Sequence, residues 1–368
     1  MTVKVKTKEI LNSIQAYPLN KSLADVQKQY GFAKAYKLAE NENIFGCSPL
    51  IKEKLVEQLD SLYSYPDGSA IELTTKLANY LSVQPNELFI GNGSDEIIRL
   101  LIRAYLNQNE EAIMADITFP RYKTNVLIEG GKPVIVPLVD GVHDLNGMLS
   151  AITEKTKMIF VCNPNNPTGT IVEKENLLSF LSQVPDDILI VLDEAYYEYA
   201  TSNSYLQSLP LLKKYANLVI LRTFSKIYGI AALRVGYGIM NPIIATELTK
   251  VKEVFNVNKL AQSAAILALD DQEYMKLCVQ KNFDGKQFFE KELTALGYSY
   301  FPSEANFVMI HTKQRGDLAA EALLKHGIIV RAGTLLGFPY TIRVTISSKE
   351  DNAFFMNVFK QLSEKGEV

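Results

Sequence analysis

The sequence predicts an α/β fold in which a large domain, built on a mainly parallel seven-stranded sheet, adjoins a smaller α+β domain. Between residues 88 and 240, short and uniformly apolar runs alternate with longer amphipathic segments. This alternation is typical of parallel strands that helices cover on both faces. Outside that block, strand-like runs are mixed with helical segments, which indicates the smaller domain. The chain has 368 residues, which is enough for two such domains.

The elements follow from these patterns in chain order. The predicted strands of the large sheet are 88–90, 112–115, 133–137, 158–162, 188–192, 218–221 and 235–240, with helices at 95–106 and 173–181. The small domain takes strands within 293–312, 327–333 and 341–346, and helices at 316–326 and 349–362. A helical stretch near 249–268 is predicted to join the two domains. We therefore expect a large domain over 41–255 and a small domain over 1–40 and 256–368.

Composition and charge exclude several classes of function. The formal net charge is -3, from 38 basic and 41 acidic residues, so charge gives no reason to expect nucleic acid or a membrane surface as a partner. No apolar run is long enough for a membrane span. Three cysteines without a close pair, and three histidines without metal-like spacing, predict neither a disulfide framework nor a metal site. A reducing cytoplasm is the expected location.

The most informative segment follows the predicted strand 218–221. It contains Thr223 and then Ser225, Lys226 and Arg234, the last three in the pattern S-K-x-x-G-x-x-x-L-R-x-G. Ligands of open α/β sheets bind at the carboxyl ends of strands, where this lysine would lie. Its amine could form an imine with an aldehyde, while the hydroxyls and the guanidinium could hold a phosphate. The Ser-Lys pair alone equally suits a surface lysine beside a turn, but the extended pattern is much rarer.

The extended pattern resembles the lysine motif of the fold type I, aspartate aminotransferase-like enzymes, and the similarity covers nearly the whole chain. The resemblance implies pyridoxal 5'-phosphate as the cofactor, joined to Lys226 as a Schiff base. It also implies that Arg234 binds the cofactor phosphate, with Thr223 and Ser225 beside it. In that role Lys226 would also be the catalytic base that moves a proton from the substrate Cα.

Two further motifs occur in the order that this family shows. The turn N-P-N-N-P-T-G at 163–169 ends a predicted strand, and Asn166 matches the asparagine that binds the cofactor's phenolic oxygen. Asp193 ends the strand 188–192 and matches the carboxylate that keeps the pyridine nitrogen protonated, and Tyr196 would give a second hydrogen bond to the phenolic oxygen. Read alone, the first motif is also an ordinary turn, and the second is also a carboxylate capping the next helix.

A glycine-rich turn opens the predicted helix 95–106. Backbone N–H groups and the helix dipole make such a terminus an anion site, and the resemblance places the cofactor phosphate at Gly93, Ser94 and Asp95. Plain N-capping by Ser94 is compatible with the same residues.

Two aromatic residues complete the resemblance. Phe119 matches the residue that stacks on the cofactor ring, where many relatives have tyrosine. Tyr65 matches a tyrosine that reaches the cofactor phosphate of the neighbouring subunit, which implies a homodimer. For either residue alone, a core or turn role is equally compatible with the sequence.

Within the fold type I enzymes, the sequence is most similar to the histidinol-phosphate aminotransferase family. The similarity is carried by the loop 41–43, the turn 65–68 and the pair Arg331 and Arg343. It implies transfer of an amino group between L-histidinol phosphate and 2-oxoglutarate or glutamate. Arg343 would bind the α-carboxylate, because the planar guanidinium of arginine suits carboxylates. Arg331 would face the distal anion, and Tyr17 and Asn43 would line the substrate pocket.

Some residues depart from the family pattern, and other functions stay open. Leu19-Asn20 and Ile44-Phe45 replace the more usual residues near the substrate pocket, so they bear on the substrate rather than on the cofactor. An aromatic amino acid aminotransferase is the near alternative, and a decarboxylase resembling threonine-phosphate decarboxylase is another. A non-enzymatic regulator with an aminotransferase-like domain is disfavoured, because the cofactor motifs begin too early for a DNA-binding extension.

Overall fold

The computed structural model describes residues 5–16 and 18–368. The strands are β1 (Tyr36–Lys37), β2 (Leu88–Gly91), β3 (Glu111–Ala115), β4 (Lys132–Val136), β5 (Thr156–Cys162), β6 (Leu189–Asp193), β7 (Leu218–Thr223), β8 (Gly236–Met240), β9 (Phe307–His311), β10 (Ile328–Ile329), β11 (Arg331–Ala332) and β12 (Thr341–Thr345). The α-helices are α1 (Leu23–Tyr30), α2 (Pro49–Leu55), α3 (Ile71–Leu81), α4 (Ser94–Tyr105), α5 (Arg121–Glu129), α6 (Leu145–Ser150), α7 (Lys174–Gln183), α8 (Pro242–Thr249), α9 (Lys259–Asp270), α10 (Gln272–Ala295), α11 (Gly316–Leu324) and α12 (Lys349–Glu364).

A seven-stranded sheet of order β2-β8-β7-β6-β5-β3-β4 forms the centre of the large domain. Strand β8 runs antiparallel to the other six strands, which are parallel to one another. The predicted mainly parallel sheet is therefore confirmed, and all seven predicted strands belong to it. Successive residues of β6 point to opposite faces: Ile190 joins one apolar cluster and Val191 the other. Because both faces are covered, the strand is apolar throughout rather than alternating.

The second sheet has the order β11-β12-β9 and is antiparallel. A parallel pair, β1 with β10, joins the N-terminal segment to this C-terminal part through Tyr36 and Ile328. The pairing places residues 40 and 41, which follow β1, next to the end of the large sheet. The division at residues 40 and 255 stays a prediction. Helix α9 packs against α2 and α3.

Two local predictions were wrong. The predicted helical stretch 249–268 is broken: α8 ends at Thr249, and α9 begins only at Lys259, where the Asn258 side chain accepts a hydrogen bond from Ala261 N at 2.8 Å. Residues 293–295 continue helix α10, because Leu293 packs in the same apolar cluster as Phe289, and the strand there starts at residue 307. Within the described residues, no helix has both the length and the apolar composition needed to cross a membrane.

Candidate active site

A cavity of about 200 Å³ lies at the carboxyl ends of β5, β6 and β7. Its lining comprises Glu40, Asn41, Ser94, Asp95, Phe119, Cys162, Asn166, Asp193, Ala195, Tyr196, Thr223, Ser225, Lys226, Arg234 and Arg343. Most of the residues that the sequence predicted for the site are therefore brought together. Four motifs that together span more than a hundred residues of chain meet there because parallel strands end at the same edge of a sheet.

Lys226 lies in the turn that leaves β7. Its Nζ donates hydrogen bonds to the carbonyl oxygens of Asn41, at 3.2 Å, and Glu40, at 3.4 Å. Burial lowers the pKa of this amine to about 8, and the positive charges of Arg343 and Arg234 add to the effect. The amine is thus much closer to its neutral, nucleophilic form near pH 7 than an ordinary lysine is.

The hydroxyls and the guanidinium of the lysine motif converge beside the start of α4. Arg234 Nη1 donates to Ser225 Oγ at 3.1 Å, and Ser225 N donates to Thr223 Oγ1 at 3.1 Å. Gly93 precedes α4 with φ +73°, and a Cβ atom there would lie 2.6 Å from Arg234 Nη2. The guanidinium, the hydroxyls and the helix N-terminus of Ser94 together form a site suited to a phosphate.

Asp193 is buried at the end of β6 and lines the same cavity as this anion site. Its Oδ2 accepts a hydrogen bond from Tyr122 Oη at 2.6 Å, and its Oδ1 accepts one from Ala195 N at 3.2 Å. Burial raises the pKa of Asp193 to about 6, although the two hydrogen bonds oppose this shift. A carboxylate held in this way would be stabilised by a cationic partner in the cavity.

Tyr122 was missed by the sequence reasoning. It lies on α5, three residues after Phe119, and the two rings meet edge to face with centroids 5.5 Å apart. Phe119 lies just before the helix, so no helical spacing in the sequence linked the two rings.

Arg343 and Asn166 close the side of the cavity that faces the small domain. Arg343 Nη1 donates to Asn166 Oδ1 at 2.5 Å, and Nη2 donates to Ala39 O at 2.8 Å. Asn41, another lining residue that the sequence reasoning did not assign to the site, donates through Nδ2 to Tyr196 Oη at 2.9 Å. Burial raises the pKa of Tyr196, so its hydroxyl keeps its proton.

Four predicted site residues do not line this cavity: Asn43, Tyr65, Gly93 and Arg331. A fifth, Tyr17, lies outside the described residues. Arg331 Nη1 donates to Pro18 O at 2.7 Å and to Asn20 Oδ1 at 3.3 Å. Its predicted contact with a distal anion therefore stays a prediction, while its observed contacts hold the N-terminal segment.

Asn43 contacts the lysine turn, and Tyr65 lies on the surface. Asn43 Nδ2 donates to Ile227 O at 2.6 Å, so this side chain fixes the backbone next to Lys226. Tyr65 is 79% exposed, and its ring stacks on Phe255 at 4.6 Å.

The described residues fit the cofactor that the sequence resemblance implies. A cofactor with an aldehyde, a ring nitrogen and a phosphate needs an amine, a carboxylate and an anion site in one cavity. Lys226 supplies the amine, Asp193 the buried carboxylate, and the groups around Arg234 the anion site. The absence of a side chain at Gly93 leaves the Arg234 guanidinium its place in that site.

Comparisons with known proteins agree with this geometry. Residues 33–358 match the family model described as aminotransferase class I and II. A histidinol-phosphate aminotransferase of Geobacillus sp. (strain WCH70) is 47% identical over 366 residues and covers 100% of both chains. The corresponding protein of Brevibacillus brevis is 48% identical over 353 residues, covering 96% of this chain and 97% of its own.

Similarity to solved structures agrees with these sequence comparisons. The histidinol-phosphate aminotransferase of Sinorhizobium meliloti, in complex with pyridoxal-5'-phosphate, has a TM-score of 0.88 at 25% identity, covering 98% of this chain and 99% of its own. An aspartate aminotransferase from Thermus thermophilus, at 22% identity and a TM-score of 0.84, covers 97% of this chain and 100% of its own, and it shares the fold. The chain belongs to the class I and II aminotransferases, and within them to the histidinol-phosphate aminotransferase family.

Proposed function

We propose that this chain catalyses the transfer of an amino group between L-histidinol phosphate and 2-oxoglutarate, with pyridoxal 5'-phosphate as cofactor, in the biosynthesis of histidine. The observation that carries the proposal is the position of the Lys226 amine, in one cavity with the Asp193 carboxylate and the anion site around Arg234. Relatives 44–48% identical over nearly the whole chain are named for this substrate. Those names favour histidinol phosphate over an aromatic amino acid, and transamination over decarboxylation.

The residues that line the cavity would bind the cofactor and move a proton of the substrate. When bound, the cofactor supplies a conjugated ring that accepts electrons from the substrate Cα. The Asp193 carboxylate would keep the ring nitrogen of the cofactor protonated. Ser94, Ser225 and Arg234 would bind the phosphate. The freed Lys226 amine would act as a general base at the substrate Cα, a role that its lowered pKa favours.

Other side chains would orient the reacting groups. Asn166 and Tyr196 would bind the phenolic oxygen of the cofactor, and the Phe119 ring would cover one face of its ring. Arg343 would bind the α-carboxylate of 2-oxoglutarate, for which a guanidinium is well matched in shape and charge.

The test compares the wild type with Lys226→Ala and with Lys155→Ala, an exposed lysine remote from the cavity. Borohydride should fix the cofactor on Lys226 in the wild type and in Lys155→Ala, and a panel of amino donors should show histidinol phosphate as the best. Lys226→Ala should fold but show neither covalent cofactor nor transamination. Undiminished turnover in Lys226→Ala, or release of carbon dioxide without a requirement for 2-oxoglutarate, would contradict the proposal.

We also propose that the active unit is a homodimer in which Tyr65 reaches the cofactor phosphate of the partner. Tyr65 shares a surface groove with other exposed apolar side chains: Leu62, Tyr63 and Phe255. Exposed apolar groups of this size commonly mark a protein–protein contact. A second copy is the expected occupant, because Tyr65 lies outside the cavity of its own chain.

We propose a reducing cytoplasm as the location of the enzyme. Cys47, Cys162 and Cys278 are free thiols, two of them buried. Such sparse, unpaired cysteines are typical of proteins that function in reducing compartments.

A further inference from the structure

Asn41 lies between the antiparallel sheet of β11, β12 and β9 and the catalytic cavity, which it lines. Its φ is +57°, in the left-handed region that asparagine tolerates better than most residues with a side chain. Asn41 N donates to Thr345 Oγ1 of β12 at 3.0 Å, and Asn41 O accepts from Asn306 Nδ2, also at 3.0 Å. These two hydrogen bonds hold the buried Asn41 in place at the cavity wall.

The hydrogen bonds around Asn41 specify which way its side-chain amide points. Thr345 Oγ1 accepts from Asn41 N, so its own proton is free to bind Asn41 Oδ1, at 3.4 Å. Asn41 Nδ2 then donates to Tyr196 Oη at 2.9 Å. A phenolic hydroxyl has a single proton. Because Tyr196 Oη accepts a hydrogen bond from the amide, its own proton is directed away from Asn41.

Tyr196 can donate that proton into the cavity. Its ring lies beside the catalytic amine, since Lys226 Nζ is 5.5 Å from the ring centre while it donates to the carbonyl oxygens of Asn41 and Glu40. Burial raises the pKa of Tyr196, so the hydroxyl carries its proton at neutral pH. The hydroxyl is therefore prepared to be a donor to the phenolic oxygen of the cofactor, the role proposed for Tyr196 above.

We infer that Asn41 is a positioning residue, whose side-chain amide directs the hydroxyl proton of Tyr196 toward the phenolic oxygen of the cofactor. This inference deepens the proposed function and rests on it for the place of that oxygen. The main-chain carbonyl of Asn41 has a separate task, because it holds the Lys226 amine. A substitution of the side chain leaves the carbonyl in place, so the two tasks can be separated by experiment.

The inference predicts an effect on the proton of the Schiff base between Lys226 and the cofactor. A negative phenolic oxygen attracts that proton, and a hydrogen bond from Tyr196 weakens the attraction by stabilising the negative charge. Without the Asn41 amide, the Tyr196 hydroxyl would be free to turn away, and the oxygen would lose part of this stabilisation. The pKa of the Schiff base should then rise by about 0.5 to 1, as expected for one weakened hydrogen bond.

The test titrates the visible absorption of the holoenzyme against pH, without substrate. Asn41→Gly removes the amide, and glycine adopts the left-handed backbone without strain. Asn109→Gly is the matched control, because Asn109 is exposed and also left-handed, with φ +69°. Asn41→Gly should raise the pKa of the Schiff base, whereas Asn109→Gly should leave it unchanged. In a Tyr196→Phe background, Asn41→Gly should have no further effect, since the hydroxyl on which it acts is absent.

Attachment of pyridoxal phosphate to the apoprotein gives a second readout. Its rate against pH reports the Lys226 amine, so the midpoint should be the same in Asn41→Gly as in the wild type. Thr345→Val provides a second variant, because it removes the hydroxyl that orients the amide. It should raise the pKa of the Schiff base by less than Asn41→Gly, and only where Tyr196 is present. If Asn41→Gly does not fold, Thr345→Val decides the question by the same comparison.

Three results would overturn the inference. They are an unchanged Schiff base pKa in Asn41→Gly, a rise that persists in the Tyr196→Phe background, and an equal shift of the attachment midpoint, which would mean that the whole loop has moved. These measurements need no substrate, so failure of histidinol phosphate as amino donor would overturn the proposed function without affecting them. A wild-type protein that shows no visible band with pyridoxal phosphate would overturn both.

Discussion

Tyr122 Oη donates a 2.6 Å hydrogen bond to Asp193 Oδ2 beneath the catalytic cavity, and both side chains are buried. The phenol has little freedom, because its ring stacks on Phe160 with centroids 4.6 Å apart and planes 11° apart. The bond joins helix α5 to the end of strand β6. It therefore fixes the position of the carboxylate on which the proposed chemistry depends, through a residue that does not line the cavity.

Removing this hydroxyl should change both stability and pH dependence. In Tyr122→Phe the carboxylate loses a donor, so we expect the free energy of unfolding to fall by about 1–3 kcal/mol. The same bond lowers the pKa of Asp193, so its loss should raise that pKa further above about 6. The acidic limb of the kcat profile should then move to higher pH, since the carboxylate is protonated at a higher pH.

The measurements are urea unfolding and kcat against pH for the wild type, Tyr122→Phe and Tyr105→Phe. Tyr105 is a matched control, because its ring packs on the same apolar cluster as Tyr122. A profile for Tyr122→Phe that superimposes on the wild type would show that the hydroxyl does not position Asp193.

The sequence predicted the sheet and most of the cavity because both depend on local signals. Apolar runs mark the strands, and motif residues such as Asn166 and Lys226 follow directly at their ends. Tyr122 could not be found in this way, since its partner Asp193 is 71 residues further along the chain and no motif contains it. The contacts of Arg331 likewise depend on the path of the N-terminal segment, and no local sequence pattern predicts that path.

The lowered pKa of Lys226 predicts how the apoprotein takes up its cofactor. Only the neutral amine attacks an aldehyde, so the rate of covalent attachment should rise with pH and level off above about 8. Arg343 contributes to lowering this pKa, so Arg343→Gln should move the midpoint to higher pH. Stopped-flow absorbance of apoprotein mixed with pyridoxal phosphate measures both midpoints, and a wild-type midpoint near the ordinary lysine value of 10.5 would contradict the prediction.

A side chain at Gly93 should weaken the anion site. In Gly93→Ala the new Cβ would approach Arg234 Nη2 to 2.6 Å and displace the guanidinium, so we expect at least about 10-fold weaker cofactor binding. Gly297→Ala is a matched control, because it has the same φ of +73° but open space around the new atom. A loss of cofactor affinity in Gly93→Ala that Gly297→Ala does not share in cofactor titrations would assign the effect to the surroundings of Gly93. Equal affinity in the two variants would contradict the prediction.

If Tyr65 acts on the partner's cofactor, two inactive variants should complement each other. A hybrid of one Tyr65→Ala subunit and one Lys226→Ala subunit has one site with both defects and one site with both native residues. Random mixing gives half hybrids with one intact site each, so activity should recover to about one quarter of the wild type. The measurement is transamination after the two variants are unfolded, mixed and refolded together, with each variant refolded alone as the control. A contribution of Tyr65 to its own chain would leave every site with one defect, and the mixture would then show only the average of the two separate activities.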